Sequence, residues 1–588
     1  MTPNASNIKR FLYKNEPIEQ KKTTQFLIII MSILGLTIGI SILFPQVRQV
    51  IVELAGQMLH REIYPEWHKT LFSFALGAIC FILFVDYCTL THSGRTLVKQ
   101  TKQEIKDCLS EIDFRSLLKP VLIMLVVYLL GIFTIIRANY LYADDMGWSM
   151  NGYRGWYNWS RYVIMLLSYI VQPEILMTDI SPIPQLLAAF ILSCSSVLLV
   201  YILGNGKITT VRLLASIPLG LSPYFLECLS YKFAAPYMAL SILLCIIPFL
   251  FIARKKAFVF WSVVSLLMMC MTYQVAAGIY LLIVIILGFQ QWNGRKASNK
   301  EILSFAGIAL SAFCFAMILF KYFFMRDSAA ITYVSTAIHP LPHMLSGILT
   351  NINQYATTIN EDFGFIWKIG IILVFILFII KSIRSSSQNR IFTFFVSILI
   401  IGLSFILSFG IYLLLSKPIY YPRALFGFGI FLAILCIYVV SDFKKLATVT
   451  VLALNWCFFV FAFSYGNALA DHARYEGFRV ELLLHDLSTL YPNVHEEPLS
   501  IQLENSIDYT PSIRNISKHY PVIKKLIQTR LGIDFDGTQY WLRYVNYQYK
   551  VDNETSIDYN VLNLPVVLDS YYHTIKSDGT HCLIVLKH

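Results

Sequence analysis

The sequence predicts a polytopic α-helical membrane protein of about 13 transmembrane helices, with a small C-terminal α/β domain on the outer side of the bilayer. Three observations lead there. The 588-residue chain is 56% hydrophobic and only 14% charged, with a mean hydropathy of +0.61, well outside the range of a soluble globular domain. Apolar stretches of about 20 residues, each long enough to cross a bilayer, recur along the chain with short polar loops between them. Lys and Arg cluster in alternate loops, so the net charge of +12 reports topology and not a polyanion ligand such as nucleic acid.

The first apolar stretch begins near Gln25 after a basic leader (Lys9, Arg10, Lys14, Lys21, Lys22) and reaches Phe44 without a small-residue cleavage site, which predicts an uncleaved signal anchor. Further spans are expected near 69–91, 119–137, 184–204, 208–226, 236–253, 257–271, 274–291, 301–324, 364–383, 391–415, 424–441 and 446–466. A cytoplasmic N-terminus places every basic loop inside: Arg95 to Lys119, Lys207 with Arg212, Arg254 to Lys256, Arg295 to Lys300, Lys381 to Arg390, and Lys444 with Lys445. An odd number of spans then delivers the last 120 or so residues to the outside, and the composition changes at Asn467.

Three parts follow. Residues 1–118 form an appended module of two spans and a basic segment. Residues 119–466 form the membrane core with its outer loops, and 467–588 the outer domain. The basic segment intersperses Lys99, Lys102, Lys106 and Arg115 with Leu and Ile; an interfacial helix on an anionic inner leaflet and an ordinary linker helix both fit it. The tail opens with a helix-like stretch, Ala468 to Leu487. It continues with alternating runs at Tyr540–Tyr549 and Cys582–Leu586. It carries no catalytic motif, so it is read as shaping the substrate site, capping the core or meeting a partner.

Most of the eleven cysteines lie inside apolar segments, where Cys acts as a small hydrophobe, and no disulfide or zinc framework is visible. His339 and His343 have metal-ligand spacing, but Pro340 and Pro342 forbid the helix that would aim both rings at one ion. No metal or cofactor is predicted, although an acidic pair described next is the place where a divalent cation would sit.

Chemistry is expected in the long outer loops that follow the third span (138–182) and the ninth (325–362). The first holds Asp144 and Asp145 where the span leaves the bilayer, then an aromatic and glycine-rich stretch containing Trp156, then Arg161. Adjacent carboxylates at a membrane boundary are either hydrated at headgroup level or put to use. A carboxylate pair beside aromatic platforms suits sugar chemistry, in which a base takes the acceptor's proton and a cation stabilises the leaving phosphate. On the same outer face Ser416–Arg423 places Lys417 and Arg423 against the positive-inside bias. Phosphate binding and snorkelling to headgroups both account for these cations. Asp179, Glu227, Tyr231, Lys232, Tyr273 and Gln274 add outward polar groups that suit substrate binding.

The string Ala143-Asp-Asp-Met-Gly147, with Gly152, Trp156, Arg161, Asp179-Ile-Ser-Pro-Ile-Pro-Gln185, Ser222-Pro-Tyr-Phe-Leu-Glu227 and Leu229-Ser-Tyr-Lys-Phe233, resembles the glucosyltransferase family that modifies O-antigen in serotype conversion. Tyr465-Gly-Asn-Ala-Leu-Ala-Asp471, leading to Tyr475 and Phe478, resembles it too, so the likeness covers about 120–487. The resemblance implies a GT-C fold in the bacterial inner membrane, with the acid pair on the first large periplasmic loop. It implies a polyprenyl phosphate sugar, such as undecaprenyl phosphate glucose, as donor and O-antigen or another lipid-linked glycan as acceptor. A flippase and a cytoplasmic enzyme that charges the lipid are the implied partners.

A polysaccharide polymerase is the nearest alternative. A flippase or transporter is a further one, but the halves show no internal repeat and no matching pair of Gly- or Pro-broken spans. Mid-span charges are scarce: Asp86 lies in the appended module and Lys321 near an outer end. The topology is open to test. A reporter fused after His588 that works only outside the cytoplasm is expected to be active, and activity of a cytoplasm-only reporter there would overturn the orientation.

Overall fold

The computed structural model describes residue 89 and residues 91–587, apart from 326–336, 443–444, 493–498, 533–540, 543, 546–548 and 551–558. Two compact units emerge: residues 1–112 with 251–260 and 315–326, and residues 113–250 with 261–314 and 327–588. In the described part of the first unit, the helix His92–Ser110 begins at Thr91, whose side chain accepts from Gly94 N at 2.9 Å. Glu104 on that helix accepts from the backbone N–H groups of Lys256 (3.0 Å) and Ala257 (3.1 Å) at the start of Lys255–Cys270. A carboxylate there satisfies orphan donors and complements the helix dipole.

The second unit holds the rest of the helical core and also the tail. Among the described residues, seven helices are long and apolar enough to cross a membrane: Phe114–Ala138, Ile183–Leu203, Gln274–Asn293, Asn299–Phe324, Phe365–Arg384, Arg390–Leu407 and Lys445–Leu490. The expected spans near 25–44 and 69–91 lie outside the described residues, apart from Thr89 and Thr91.

Four other expected spans take a different form. The stretch 208–226 is a broken pair, Thr210–Leu221 and Pro223–Ser230, bent by 62°. Pro223 forces Ser222 out of the helical region (φ −61°, ψ 146°) and so ends the first piece. The stretch 236–253 becomes the shorter Ala235–Phe251. The stretch 424–441 becomes Gly427–Val439, 13 residues that are all buried, and 257–271 becomes the 16-residue Lys255–Cys270. A 13-residue helix is only about 20 Å long, short of a bilayer core. Gly427–Val439 is apolar because it is packed inside protein; a hydropathy window responds to apolarity, whatever supplies it.

The first span of this unit starts earlier than expected, at Phe114, because Asp113 caps it by accepting from Arg115 N (3.1 Å) and Ser116 N (3.4 Å). The last span and the predicted tail helix are one element. Lys445–Leu490 has 46 residues, which corresponds to roughly 70 Å, more than a bilayer with its headgroups. The expected boundary at Asn467 therefore falls inside a continuous helix. Its far end buries Val480, Leu483 and Leu487 in the core of the C-terminal sheet, against Leu499, Ile501, Ile575, Cys582, Ile584 and Leu586.

That sheet comprises β1 (Leu499–Glu504), β2 (Tyr549–Lys550), β3 (Val566–Asp569), β4 (His573–Ser577) and β5 (His581–Leu586), in the order β2-β1-β5-β4-β3. β1 runs parallel to β2 and β5, whereas β3, β4 and β5 form an antiparallel meander. The predicted run Cys582–Leu586 lies in β5. Of the run 540–549, Trp541, Leu542 and Tyr544 are helical and only Tyr549 begins a strand, while most of the remainder lies outside the described residues.

Phe114–Ala138 packs closely on Lys445–Leu490 at Gly466. A Cβ there would lie 2.6 Å from Ile135 N, a distance no side chain tolerates. Gly466→Val should cost roughly 1–3 kcal/mol as an overpacked contact. The check is thermal unfolding of the detergent-purified protein, where a lowered midpoint is expected and an unchanged one would show that the helices part freely.

Candidate active site

The C-terminal end of Phe114–Ala138 is closed by Asn139 in the left-handed region (φ 49°). The chain then runs Tyr140-Leu-Tyr142 to Ala143, which is also left-handed (φ 45°). A non-glycine residue there is strained and persists only where its surroundings hold it. The turn lets Asp145 N donate to Tyr142 O (2.9 Å) and Tyr142 N donate back to Asp145 Oδ2 (3.1 Å).

The two carboxylates of the pair meet different environments. Asp145 is fully buried. Its Oδ2 also accepts from Lys232 N (2.9 Å), and Lys232 Nζ bonds Asp179 Oδ2 at 2.9 Å. Burial pushes the Asp145 carboxyl up to about 8 against these donors, so it is mainly protonated near neutral pH. Asp179 is pulled the other way: burial raises it, but Ser181 and Lys232 more than offset that and hold it below the usual carboxylate range. Asp145, Lys232 and Asp179 thus form a chain that ties three segments together.

Asp144 is open to solvent, yet enclosure by surrounding protein raises its carboxyl pKa, with Arg423 and Arg161 pulling it back down. A group that solvent reaches but protein largely surrounds lies in a concavity, and this one faces two guanidinium groups. Arg161 lies over the rings of Tyr273 (4.9 Å) and Trp159 (5.7 Å), and its buried Nε has no hydrogen-bond partner among the described residues. Arg423 is committed to Glu227: its backbone N reaches Oε2 at 2.5 Å and its Nη1 reaches Oε1 at 2.8 Å. Glu227, on the second piece of the broken helix, is completely buried.

Tyr231 and Tyr273 complete the surround. Tyr231 meets Tyr142 edge to face at 5.0 Å, and the Tyr273 hydroxyl donates to Arg423 O at 3.3 Å. Gln274 Nε2 donates to Trp159 O at 3.5 Å and so steadies the loop.

The structure brings together Asp144, Arg161, Arg423, Glu227, Tyr231 and Tyr273. Lys417 is exposed on the Ser416–Arg423 loop, and no described contact joins it to Asp144 or to either arginine. Trp156 is buried between Trp148 (5.3 Å) and Tyr237 (5.7 Å) and forms the core of its loop; the exposed aromatics there are Tyr153 and Tyr157. His343 is exposed, while His339 Nε2 lies 3.3 Å from Asn351 Nδ2. Among the described residues no three His, Cys, Asp or Glu side chains group to hold a metal ion. Sequence reasoning did not single out Tyr142 and Trp159, whose only signal was membership of the aromatic loop, nor Glu476 and Arg530, which carried none.

Fold and site define a class: a helical protein with several helices apolar enough to span a membrane, in which an enclosed carboxylate just beyond a helix C-terminus faces two arginines. The chain belongs to the glucosyl transferase GtrII family, whose profile matches residues 133–440 and so contains each of the site residues named from the sequence. It is also 23% identical over 423 residues to a protein of Salmonella phage P22 described as an uncharacterized 55.3 kDa protein in the gtrB 5' region, covering 68% of this chain and 85% of that one. That gene neighbourhood agrees with the serotype-conversion likeness read from the motifs. No solved structure matches the chain significantly.

The raised pKa of Asp145 gives a pH test. A carboxyl that titrates higher in the fold than in the unfolded chain stabilises the fold while protonated. That contribution is complete below about pH 4, declines as pH rises, and is gone above about 8. Asn keeps an acceptor for the Tyr142 and Lys232 amides and carries no charge. Asp145→Asn should therefore gain on the wild type in melting temperature from pH 5 to 8, with the gap level above that. Parallel curves would show that Asp145 is ionised throughout.

Proposed function

We propose that the protein transfers a hexose, glucose by its family, from a polyprenyl phosphate donor to O-antigen or a related lipid-linked polysaccharide at the periplasmic face of the bacterial inner membrane. The observation that supports this most is the placement of Asp144, an enclosed carboxylate with a raised pKa opposite Arg161 and Arg423. In this reading Asp144 takes the proton of the acceptor hydroxyl as that oxygen attacks the anomeric carbon. The bond from the anomeric carbon to phosphate breaks, and charge builds on the departing lipid phosphate. A base whose pKa is raised toward the working pH is suited to the first task. Two guanidinium groups, each able to bind phosphate through parallel hydrogen bonds, suit the second.

The arginines divide the work. Glu227 neutralises and orients Arg423, leaving the rest of its fork toward the site, whereas Arg161 has an Nε unpaired among the described residues and is the stronger phosphate ligand. Trp159 and Tyr273, which stack on Arg161, shape the sugar site. Asp145 keeps the loop in place and takes no proton from substrate. Lys417, exposed, meets lipid headgroups ahead of the site. A flippase that delivers the charged lipid and a cytoplasmic transferase that charges it complete the pathway, and the tail lies in the periplasm.

The test is transfer from labelled polyprenyl phosphate glucose to a lipid-linked O-antigen acceptor by purified protein in lipid nanodiscs. Asp144→Asn should lose roughly a hundredfold or more in turnover, with donor affinity kept. Arg161→Lys should lower kcat more than it raises KM, because the contact strengthens as phosphate charge develops. Wild-type turnover in Asp144→Asn would overturn the base assignment, and a wild type that ignores this donor would overturn the donor class.

A further inference from the structure

We infer that the C-terminal domain is a working part of the catalytic centre: its segment Leu526–Arg530 straps down the Tyr140–Asp144 loop, with Arg530 as the positioning residue. The inference rests on Asp144 acting as proposed above, and concerns residues beyond the family match, which ends at 440.

Three contacts join the two segments. Tyr142 hydroxyl donates to Leu526 O (2.8 Å), Tyr140 hydroxyl donates to Gln528 O (2.8 Å), and Arg530 Nη1 donates to Leu141 O (3.1 Å). Alternate residues of one segment, 526, 528 and 530, thus serve three consecutive residues of the other. The helical turn Ile523–Leu526 stops at Ile527, which is extended (φ −99°, ψ 102°). Extension turns successive carbonyls away from a helical ladder and frees them for the tyrosines. The contacts end one residue before left-handed Ala143, the strained turn that aims Asp144. A strained residue needs its neighbours over-determined, and the strap supplies that.

Arg530 is itself locked. Its backbone N and Nε each bond Glu476 at 2.7 Å, Nη2 also contacts that carboxylate, and the guanidinium lies 4.0 Å over the Tyr140 ring. Glu476 is fully buried on the helix Lys445–Leu490, and its Oε2 lies 3.3 Å from the Tyr140 hydroxyl. With Glu476 and Arg530 both buried, neither charge can leave the other without facing a low dielectric alone. The strap also reaches the second half of the site. Lys525 Nζ bonds Asp362 at 2.6 Å, and Asp362 accepts from Tyr224 at 2.9 Å. Tyr224 and Glu227 lie on the same short helix, Pro223–Ser230. One segment of the tail therefore holds both the strand of chain leading to Asp144 and the helix that carries the partner of Arg423.

The test uses the full-length chain, in which Tyr142→Phe removes one strap hydrogen bond at almost constant shape and Arg530→Lys and Arg530→Ala weaken or remove the lock. Arg479→Lys is the control. Arg479 is equally buried in the tail and bonds Tyr475, Tyr572 and Lys587, but has no bond to the Tyr140–Asp144 loop among the described contacts. For folded, monodisperse protein, kcat should fall about tenfold or more in Arg530→Ala and severalfold in Tyr142→Phe, with donor KM within about twofold of wild type. Arg530→Lys should recover part of the loss, and Arg479→Lys should lower the melting temperature with kcat kept. Hydrogen exchange supplies a readout independent of the reaction: amides of 139–146 should exchange faster in Tyr142→Phe and Arg530→Ala, while those of 573–586 stay protected. If wild-type protein transfers no hexose, the proposed reaction fails and the exchange result still decides the strap. Unchanged kcat and unchanged exchange at 139–146 in both Tyr142→Phe and Arg530→Ala would overturn it.

Discussion

Glu227 has no surface exposed to solvent, and a carboxylate in that position is sustained only because Arg423 closes on it twice, through its guanidinium and through its backbone amide. Removing either partner would strand the other charge in a low dielectric, so the broken helix 223–230 and the loop 416–426 are bound to each other by electrostatics before any apolar packing is counted. The remaining geometry follows from that join. Tyr273 reaches Arg423 O, Arg161 stacks on Tyr273, and Gln274 holds the loop that carries Trp159. The concavity opposite Asp144 exists because these segments cannot drift apart.

The same rule, that a polar group taken out of water must be paired, separates two carboxylates that are neighbours in sequence. Asp145 satisfies backbone amides from two segments and is kept neutral by burial, a structural use that matches its position at the start of the helix Asp145–Asn151. Asp144, one residue earlier, is turned by left-handed Ala143 toward the cations. A single strained dihedral sends adjacent, chemically identical side chains into different surroundings.

The helix Lys445–Leu490 has a comparable role at larger scale. It packs against Phe114–Ala138 at Gly466, then continues beyond the length of a bilayer to form one wall of the C-terminal sheet core. Because one rigid element supplies both surfaces, the tail is joined to the helical core without a flexible linker, and Glu476 on the same helix anchors the arginine that reaches Leu141 O.

By itself the sequence determined the class of fold, the seven helices long and apolar enough to cross a membrane to within a few residues at most ends, the strand 582–586 and the family. Each of these is written in local composition: apolar length, cap residues such as Asp113, alternation, and contiguous motif strings. It also named Asp144, Arg161, Glu227, Tyr231, Tyr273 and Arg423, because unusual polar groups beside apolar stretches are visible without a structure. Only the tertiary structure decided that 208–226 breaks at Pro223, that 424–441 is protein-buried and short, that Arg423 belongs to Glu227, and that Trp156 is core. Those outcomes depend on what lies across the fold: a hydropathy window cannot distinguish lipid from a protein neighbour. Glu476 and Arg530, 54 residues apart, are an ordinary acid and an ordinary base until folding removes water from both.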